Sequence, residues 1–501
     1  MIPWQNAPVR KGLLIAGVIA IGALAFGLRW RFRVVPLAAP PSTTSAAVAQ
    51  AAVASRKAYI PYAEALSILQ AHSSNLPNGL KGRDPRSLEP GWSAWVEHRD
   101  AAIRARLAQG DEDSLVNFWL YGTTFTALPR ATEQHLASLK TRALAEELLI
   151  RRLDDLVAGL ASPGTNERLQ FARQLVERQS IDPTTEAGRQ EARVYLVKVR
   201  ERVIAANARY RRAAESAKRP GDVGAAMTSY STMYRDRGLS SDTKLTADFA
   251  LDKAIAALAS SGQLAPQSVR RIALVGPGLD FTDKAEGYDF YPPQTIQPFA
   301  LVDSVSRLGL ARAEDLRVTT FDLSPRVNRH LEAARQRAQA GESYVIQLPL
   351  VTDDPKHQWD PGLVGYWKQF GDRIGEEAAA MPPPAVGAQV RVRAVRVRPA
   401  ITLSITPVDL NIIVERLEPP RPPGNDERFD LIVATNVLVY YDAFDQTLAL
   451  ANIARMLRPG GFFVTNYAVS PGPEFDPSAI VTAVFFDKQQ NGDTMFCYRR
   501  R

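Results

Sequence analysis

A single cysteine, Cys497, rules out an intrachain disulfide and any site built from several thiolates. Five histidines are scattered without ligand spacing, which argues against zinc or iron chemistry and leaves no expected metal. No catalytic triad or carboxylate pair can be recognised. His357 and Asp353-Asp354 could act as bases, but their stretch reads as a surface loop. Long single-sign charge runs are also missing. A net charge of +8 over 501 residues permits contact with anionic lipid or nucleic acid and requires neither, so no nucleic-acid partner is indicated. The oligomeric state cannot be read from the chain.

What is present begins with an apolar run. Residues 12–28 (GLLIAGVIAIGALAFGL) carry no charge and lie between Arg10-Lys11 and Arg29, Arg31 and Arg33. About 17 residues is the lower limit for a spanning helix, and Trp4 and Trp30 sit where interfacial aromatics would anchor one. The arginines directly after the run argue for an uncleaved anchor over a signal peptide. Residues 1–33 are therefore expected to form a single-pass membrane anchor, and residues 34–55, rich in Ala, Pro, Ser and Thr, a linker. Flanking charge is nearly balanced, so the positive-inside rule barely sets orientation.

Residues 56–262 read as an all-helical domain. Apolar residues recur at helical spacing over 92–107, 112–128, 133–160, 166–179, 185–218 and 242–259. From Ser268 to Arg501 strands and helices alternate, which predicts a doubly wound, mostly parallel α/β sheet closed by a C-terminal hairpin. Residues 344–399 are an insertion. Its stretch from Val390 to Arg398 alternates apolar and basic residues, as an added edge strand or as a basic substrate cover would.

The densest signal is residues 427–467, ERFDLIVATNVLVYYDAFDQTLALANIARMLRPGGFFVTNY. Leu431 to Ala434 suits a strand covered on both faces. Leu448, Leu450, Ile453, Ala454 and Leu457 follow at helical spacing, and Arg458-Pro459-Gly460-Gly461 stops that helix before the next strand. This strand–helix–strand segment resembles the second half of class I S-adenosylmethionine (SAM) methyltransferases. Asn436 to Tyr440, Gln446 and Leu457 to Gly461 look most like the chemotaxis-receptor methyltransferase branch. The resemblance implies a Rossmann-like fold over residues 268–501, SAM as cofactor and a cytoplasmic soluble part. It leaves the helical residues and the methyl acceptor unassigned.

Ligands of such sheets lie beyond the C-terminal strand ends. Gly276-Pro277-Gly278 would let backbone approach the methionine part of SAM, although the family's acidic residue and third glycine are Leu274 and Asp280 here. Asp322 could accept from the ribose hydroxyls or cap the helix that starts at Pro325. By resemblance, Asp409-Leu410 would flank the adenine, unless Asp409 is only a turn residue after Pro407. Asn436 could hold the methionine carboxylate, orient substrate or close a turn. Tyr291, Gln297, Trp367 and Tyr440 are candidate substrate contacts, and the aromatic loop 286–298 is expected to line the cleft. Two other classes stay open: an inactive methyltransferase-like scaffold at the membrane, and a nucleotide-binding oxidoreductase, against which the incomplete GxGxxG counts.

Overall fold

The computed structural model describes residues 56–217, 237–243, 245–280, 288–351, 359–383, 390–418, 427–488 and 491–501. The apolar run 12–28, the linker 34–55 and Asp353, Asp354 and His357 lie outside the described residues. Among the described residues no helix is long and apolar enough to cross a membrane.

The described strands are β1 (Arg56–Tyr59), β2 (Arg271–Val275), β3 (Arg317–Asp322), β4 (Tyr344–Val351), β5 (Gly375–Ala378), β6 (Val390–Val397), β7 (Ile405–Asp409), β8 (Glu415–Glu418), β9 (Phe429–Ala434), β10 (Leu457–Thr465), β11 (Ile480–Phe485) and β12 (Gly492–Arg499). Seven form the main sheet in the order β11-β12-β10-β9-β2-β3-β7. β7, β3, β2, β9 and β10 run parallel, and β12 and β11 close the edge as an antiparallel hairpin. β2, β3 and β7 step one way across the sheet while β9 and β10 step the other. The order therefore reverses between β2 and β9, which is where such sheets open a crevice.

Alternate residues of these strands feed two cores. On one face Leu274, Val318, Leu431, Val433 and Val464 pack with the helices Leu245–Ser260 and Gln297–Arg307. On the other, Ala273, Val275, Phe321, Ile432, Ala434 and Phe463 pack with the helix Ala443–Met456 and with Trp92, Val96 and Ile103. Those last three belong to the helix Glu89–Tyr121, whose far end contributes Leu115, Phe118 and Trp119 to a separate helical core. The sheet's second face is thus covered partly by N-terminal helices.

The helical residues consequently do not stand apart, and residues 53–501 form one compact unit. β1, within the stretch read as all-helical, pairs antiparallel with β8. One continuous helix, Glu89–Tyr121, replaces the two expected over 92–128. The expected helix over 133–160 is two, Glu133–Ser138 and Arg142–Ala161, each capped by a threonine side chain. Leu245–Ser260 packs on the sheet as one of its own layers.

The insertion also differs from the expected edge strand. β6 is the middle strand of a separate antiparallel sheet of order β4-β6-β5. Three arginines of the stretch 390–398 are answered locally: Arg393 by Asp372, Arg396 by Glu376 and Arg398 by Glu314.

The helix Glu89–Tyr121 is crossed at Gly110 by residues 238–239. A Cβ on Gly110 would stand 1.9 Å from the Leu239 carbonyl oxygen, whereas one on Gly91 would meet nothing within 4 Å. Gly110→Ala should destabilise the protein by about 1–3 kcal/mol through overpacking. Gly91→Ala should be neutral, or stabilising by up to about 1 kcal/mol through helix propensity. Denaturant unfolding of the two variants measures the contrast, and equal effects would contradict the close crossing.

Candidate active site

A cleft of about 1180 Å³ opens at the C-terminal ends of β2, β3, β7 and β9. Its floor is the turn after β2. Gly276 and Gly278 both have φ +67°, a conformation glycine adopts without strain. The Gly276 N–H donates to the Phe321 carbonyl at 2.8 Å. A Cβ at Gly278 would stand 2.3 Å from Thr243 Cγ2, so the turn also fits against the 237–243 segment. Pro277 is not in the cleft wall.

Asp322 ends β3 in the wall and is 8% exposed. Its Oδ1 accepts from the Ser324 N–H at 2.7 Å, and its Oδ2 from the Gly278 N–H at 3.4 Å. The Ser324 bond closes the turn before the helix Pro325–Gln339, whose N-cap is Ser324 with no side-chain cap bond, so Asp322 is not the expected helix cap. A carboxylate offers about four acceptor directions, so capacity remains for a ligand. Burial pushes its pKa up to about 6, against the pull of those two N–H groups and of Arg326.

After β7 the residues part company. Leu410 and Ile412 line the cleft with Phe321 and Leu323, forming an apolar slot. Asp409 does not line it. Arg104 holds its carboxylate at 2.6 Å and also bonds Asp100 and Glu415. The neighbouring Asn411 is committed as well, donating to Asp100 at 2.8 Å and accepting from the Ile413 N–H. The polar group expected opposite adenine is therefore tied into a strut from the Glu89–Tyr121 helix.

Asn436, after β9, lines the cleft with φ +56°. Asn466, after β10, accepts from its main-chain N–H at 2.7 Å and donates to its Oδ1 at 2.8 Å. The same Asn466 amide donates to Asp493 Oδ2 at 2.8 Å, fixing the orientation of the amide.

Of the candidate substrate contacts, Gln297 and Tyr440 line the cleft, while Tyr291 and Trp367 do not. The Gln297 amide donates to Thr435 Oγ1 at 2.8 Å. The Tyr291 hydroxyl is turned to Asp280, and the Trp367 indole N–H donates to the Leu348 carbonyl. Loop 288–298 packs mainly on the helices: Asp289 accepts from the Thr123 and Thr124 main-chain N–H groups, and Arg168 reaches the Tyr291 and Asp280 carbonyls. Among the described residues of the insertion 344–399, none lines the cleft.

Sequence reasoning does not reach Arg237, Ser241, Asp242 and Thr243, which form another wall. Arg237 and Ser241 fall outside the periodic stretches, and the helical period over 242–259 says nothing of a cleft. Asn466 and Asp493 are different. Asn466 follows β10, so the strand-end rule that selects Asn436 selects it too.

These residues fit an adenosyl group carrying a methionine: bare backbone after β2, a buried carboxylate after β3 and an apolar slot after β7. Residues 393–465 match the family model described as a methyltransferase domain, a stretch running from β6 to β10. No curated protein matches the chain. Similar solved structures include the N-methyltransferase NodS from Bradyrhizobium japonicum WM9, at 13% identity and a TM-score of 0.22, covering 50% of this chain and 96% of that one. TrmN from Thermus thermophilus has 13% identity and a TM-score of 0.25 over 53% of this chain and 54% of its own. Magnesium protoporphyrin IX methyltransferase from Synechocystis PCC 6803, solved with bound SAM, has 11% identity and a TM-score of 0.22, over 57% and 88%. At such scores the fold assignment rests on the strand order and the family match. Together they support a Rossmann-like methyltransferase fold, with the family match confined to residues 393–465.

Because the folded state keeps Asp322 protonated up to about pH 6, it binds more protons than the unfolded chain between about pH 4 and 6. This carboxyl therefore lowers stability as pH rises through that window, by roughly 3 kcal/mol in total. Asp322→Asn removes the titration. Its stability relative to wild type should rise by that amount between pH 3.5 and 7 in denaturant unfolding, and a difference independent of pH would return Asp322 to ordinary behaviour.

Proposed function

We propose that the chain is a SAM-dependent methyltransferase, anchored to a membrane through residues 12–28 and acting from the cytoplasmic side on an acceptor of its own. The observation that carries the reading is the meeting of Gly276, Gly278, Asp322, Leu410 and Asn436, from four strand ends, on one cleft. The family match over residues 393–465 supports it for the last two.

When bound, SAM supplies a methyl group already activated by its sulfonium, so alignment of the nucleophile does most of the work. The chain's part is binding, orientation and exclusion of water. Asp322 would accept hydrogen bonds from the ribose hydroxyls, and its burial would make each bond count more than it does in water. Gly276 and Gly278 would present main chain to the methionine end. Leu410, Ile412 and Leu323 would cover the base. Asn436, held by Asn466, would hold the methionine carboxylate or orient the acceptor. The cleft exceeds the ~300–1,000 Å³ that a single ligand site usually occupies, which leaves room for an acceptor beside the cofactor.

Calorimetric titration of the full chain with SAM and S-adenosylhomocysteine tests this. Asp322→Ala should weaken both at least tenfold, while Asp409→Ala, whose carboxylate serves the Arg104 strut, should stay within a few-fold of wild type. Affinity should also fall below pH 6, as Asp322 protonates and loses an acceptor. No heat with either ligand would favour the inactive scaffold, and preference for NAD would favour an oxidoreductase.

The anchor rests on residues 12–28 and their flanking arginines. A chain lacking residues 1–33 should move from the membrane pellet to the supernatant on cell fractionation. Retention in the pellet would assign membrane binding to another part of the protein.

A further inference from the structure

The cleft extends past the groups that fit the cofactor. In the strand order β11-β12-β10-β9-β2-β3-β7, those groups stand at the ends of β2, β3, β7 and β9. β10, β12 and β11 lie on the other side of β9, and there the cleft is walled by Tyr467 after β10, Phe486 after β11 and Phe496 of β12. Tyr440, in the turn after β9, adds a fourth ring. All four side chains are half-buried, packed against protein and still open to the cleft.

The sheet sets the direction of one of these rings. Successive strand residues point to opposite faces, so Phe496 and Tyr498 share a face of β12, and Tyr498 stands opposite Phe463 of β10. The three rings form a row. Phe463 and Tyr498 lie 6.2 Å apart between centroids with planes at 22°, and Tyr498 and Phe496 lie 6.5 Å apart with planes at 15°. Both spacings are ordinary for offset-stacked aromatic pairs. Phe463 and Tyr498 are buried, and the Tyr498 hydroxyl is fixed by the Val469 N–H at 3.0 Å and the Val469 carbonyl at 3.1 Å. Phe496 is therefore the outer member of a row whose inner members cannot shift. Because β12 is antiparallel to β10, its N-terminal end lies beside the C-terminal end of β10, so the row runs outward to the cleft. Tyr467 follows two residues after Thr465, the residue opposite Phe496.

We propose that the half-cleft walled by Tyr440, Tyr467, Phe486 and Phe496 binds an aromatic ring, and that this ring belongs to the methyl acceptor. That the ring is the acceptor's rests on the cofactor reading; that the half-cleft selects a ring rests on the four side chains alone. A stacked row that ends at a cleft wall offers its next place to a flat π-system. Aliphatic side chains would bury a ligand equally well. What rings add is offset-stacked and edge-to-face contact with another ring, a gain beyond area burial that a saturated ligand cannot share. The position suits an acceptor, because the half-cleft adjoins Asn436 and leaves the groups after β2, β3 and β7 to the cofactor.

The test compares 2-naphthol with its saturated counterpart decahydro-2-naphthol by ligand-observed NMR on the full chain, with and without saturating S-adenosylhomocysteine. The two alcohols are similar in length and apolarity, so burial alone would bind them alike. 2-Naphthol should bind about fivefold or more tightly than the saturated alcohol, and S-adenosylhomocysteine should not displace it. Phe496→Leu and Tyr467→Leu keep an apolar side chain and remove the ring. Each should cut the preference by about threefold, without changing the affinity for the saturated alcohol or for S-adenosylhomocysteine. The two substitutions stand on different elements, so either carries the comparison if denaturant unfolding shows the other to be misfolded. Equal binding of the two alcohols, a preference that survives both substitutions, or competition between 2-naphthol and S-adenosylhomocysteine overturns the proposal. A wild type that keeps the ring preference and binds no S-adenosylhomocysteine would instead count against the cofactor reading alone.

Discussion

The helix Glu89–Tyr121 is the constraint on which the rest depends. At 1.5 Å per residue its 33 residues span about 50 Å. That is long enough to lie in two cores at once, with Trp92, Val96 and Ile103 under the sheet and Leu115, Phe118 and Trp119 in the helical bundle. Along it, three arginines reach into the α/β half. Arg99 pairs with Asp445, Arg104 with Asp409 and Glu415, and Arg106 donates to the carbonyls of Tyr440 and Arg237. The Arg106 contact ties the turn after β9 to the segment that walls the cleft. The helical residues thus serve as a structural layer of the α/β half.

Buried charge is the second theme. Asp445 is pushed up to about 6 by burial, opposed by Arg99, and Asp322 reaches a similar value with only N–H groups and the more distant Arg326 to oppose it. The two costs are not equivalent. Asp445 holds a strut, and taking away its arginine would leave a buried charge unpaired. Asp322 is left short of partners in a cleft, a state worth keeping only where a ligand completes the set.

The fold of the C-terminal half was largely legible. Apolar runs bounded by glycine, proline and acids marked β2, β3, β9 and β10, and the C-terminal hairpin followed from its turn residues. The lining of the cleft was legible at Gly276, Gly278, Asp322, Leu410 and Asn436, because strand ends are positions a one-dimensional pattern can locate. Asp409 was not, since its commitment to Arg104 joins residues 305 apart. Tyr291 and Trp367 went elsewhere for the same kind of reason: aromatic composition does not tell a cleft wall from a core, and their polar atoms bond Asp280 and Leu348. The boundary near residue 262 failed because the helix Leu245–Ser260 carries a helical period whichever partner it packs against. β6 was visible as a strand, but its place between β4 and β5 depends on pairings that no local pattern encodes.

The joining of β1 to β8 has a consequence for synthesis. The Arg416–Glu64 ion pair beside that joint connects residues 352 apart. At roughly 5–20 residues per second, the ribosome needs about 20–70 seconds to make the intervening chain. For most of that interval, until β2 and β3 emerge, Trp92, Val96 and Ile103 have no sheet to cover. The apolar side of the first long helix therefore waits on the ribosome for strands that do not yet exist, and protecting it meanwhile falls to chaperones or to transient local contacts. The architecture that braces the finished cleft most firmly is the one that the growing chain completes last.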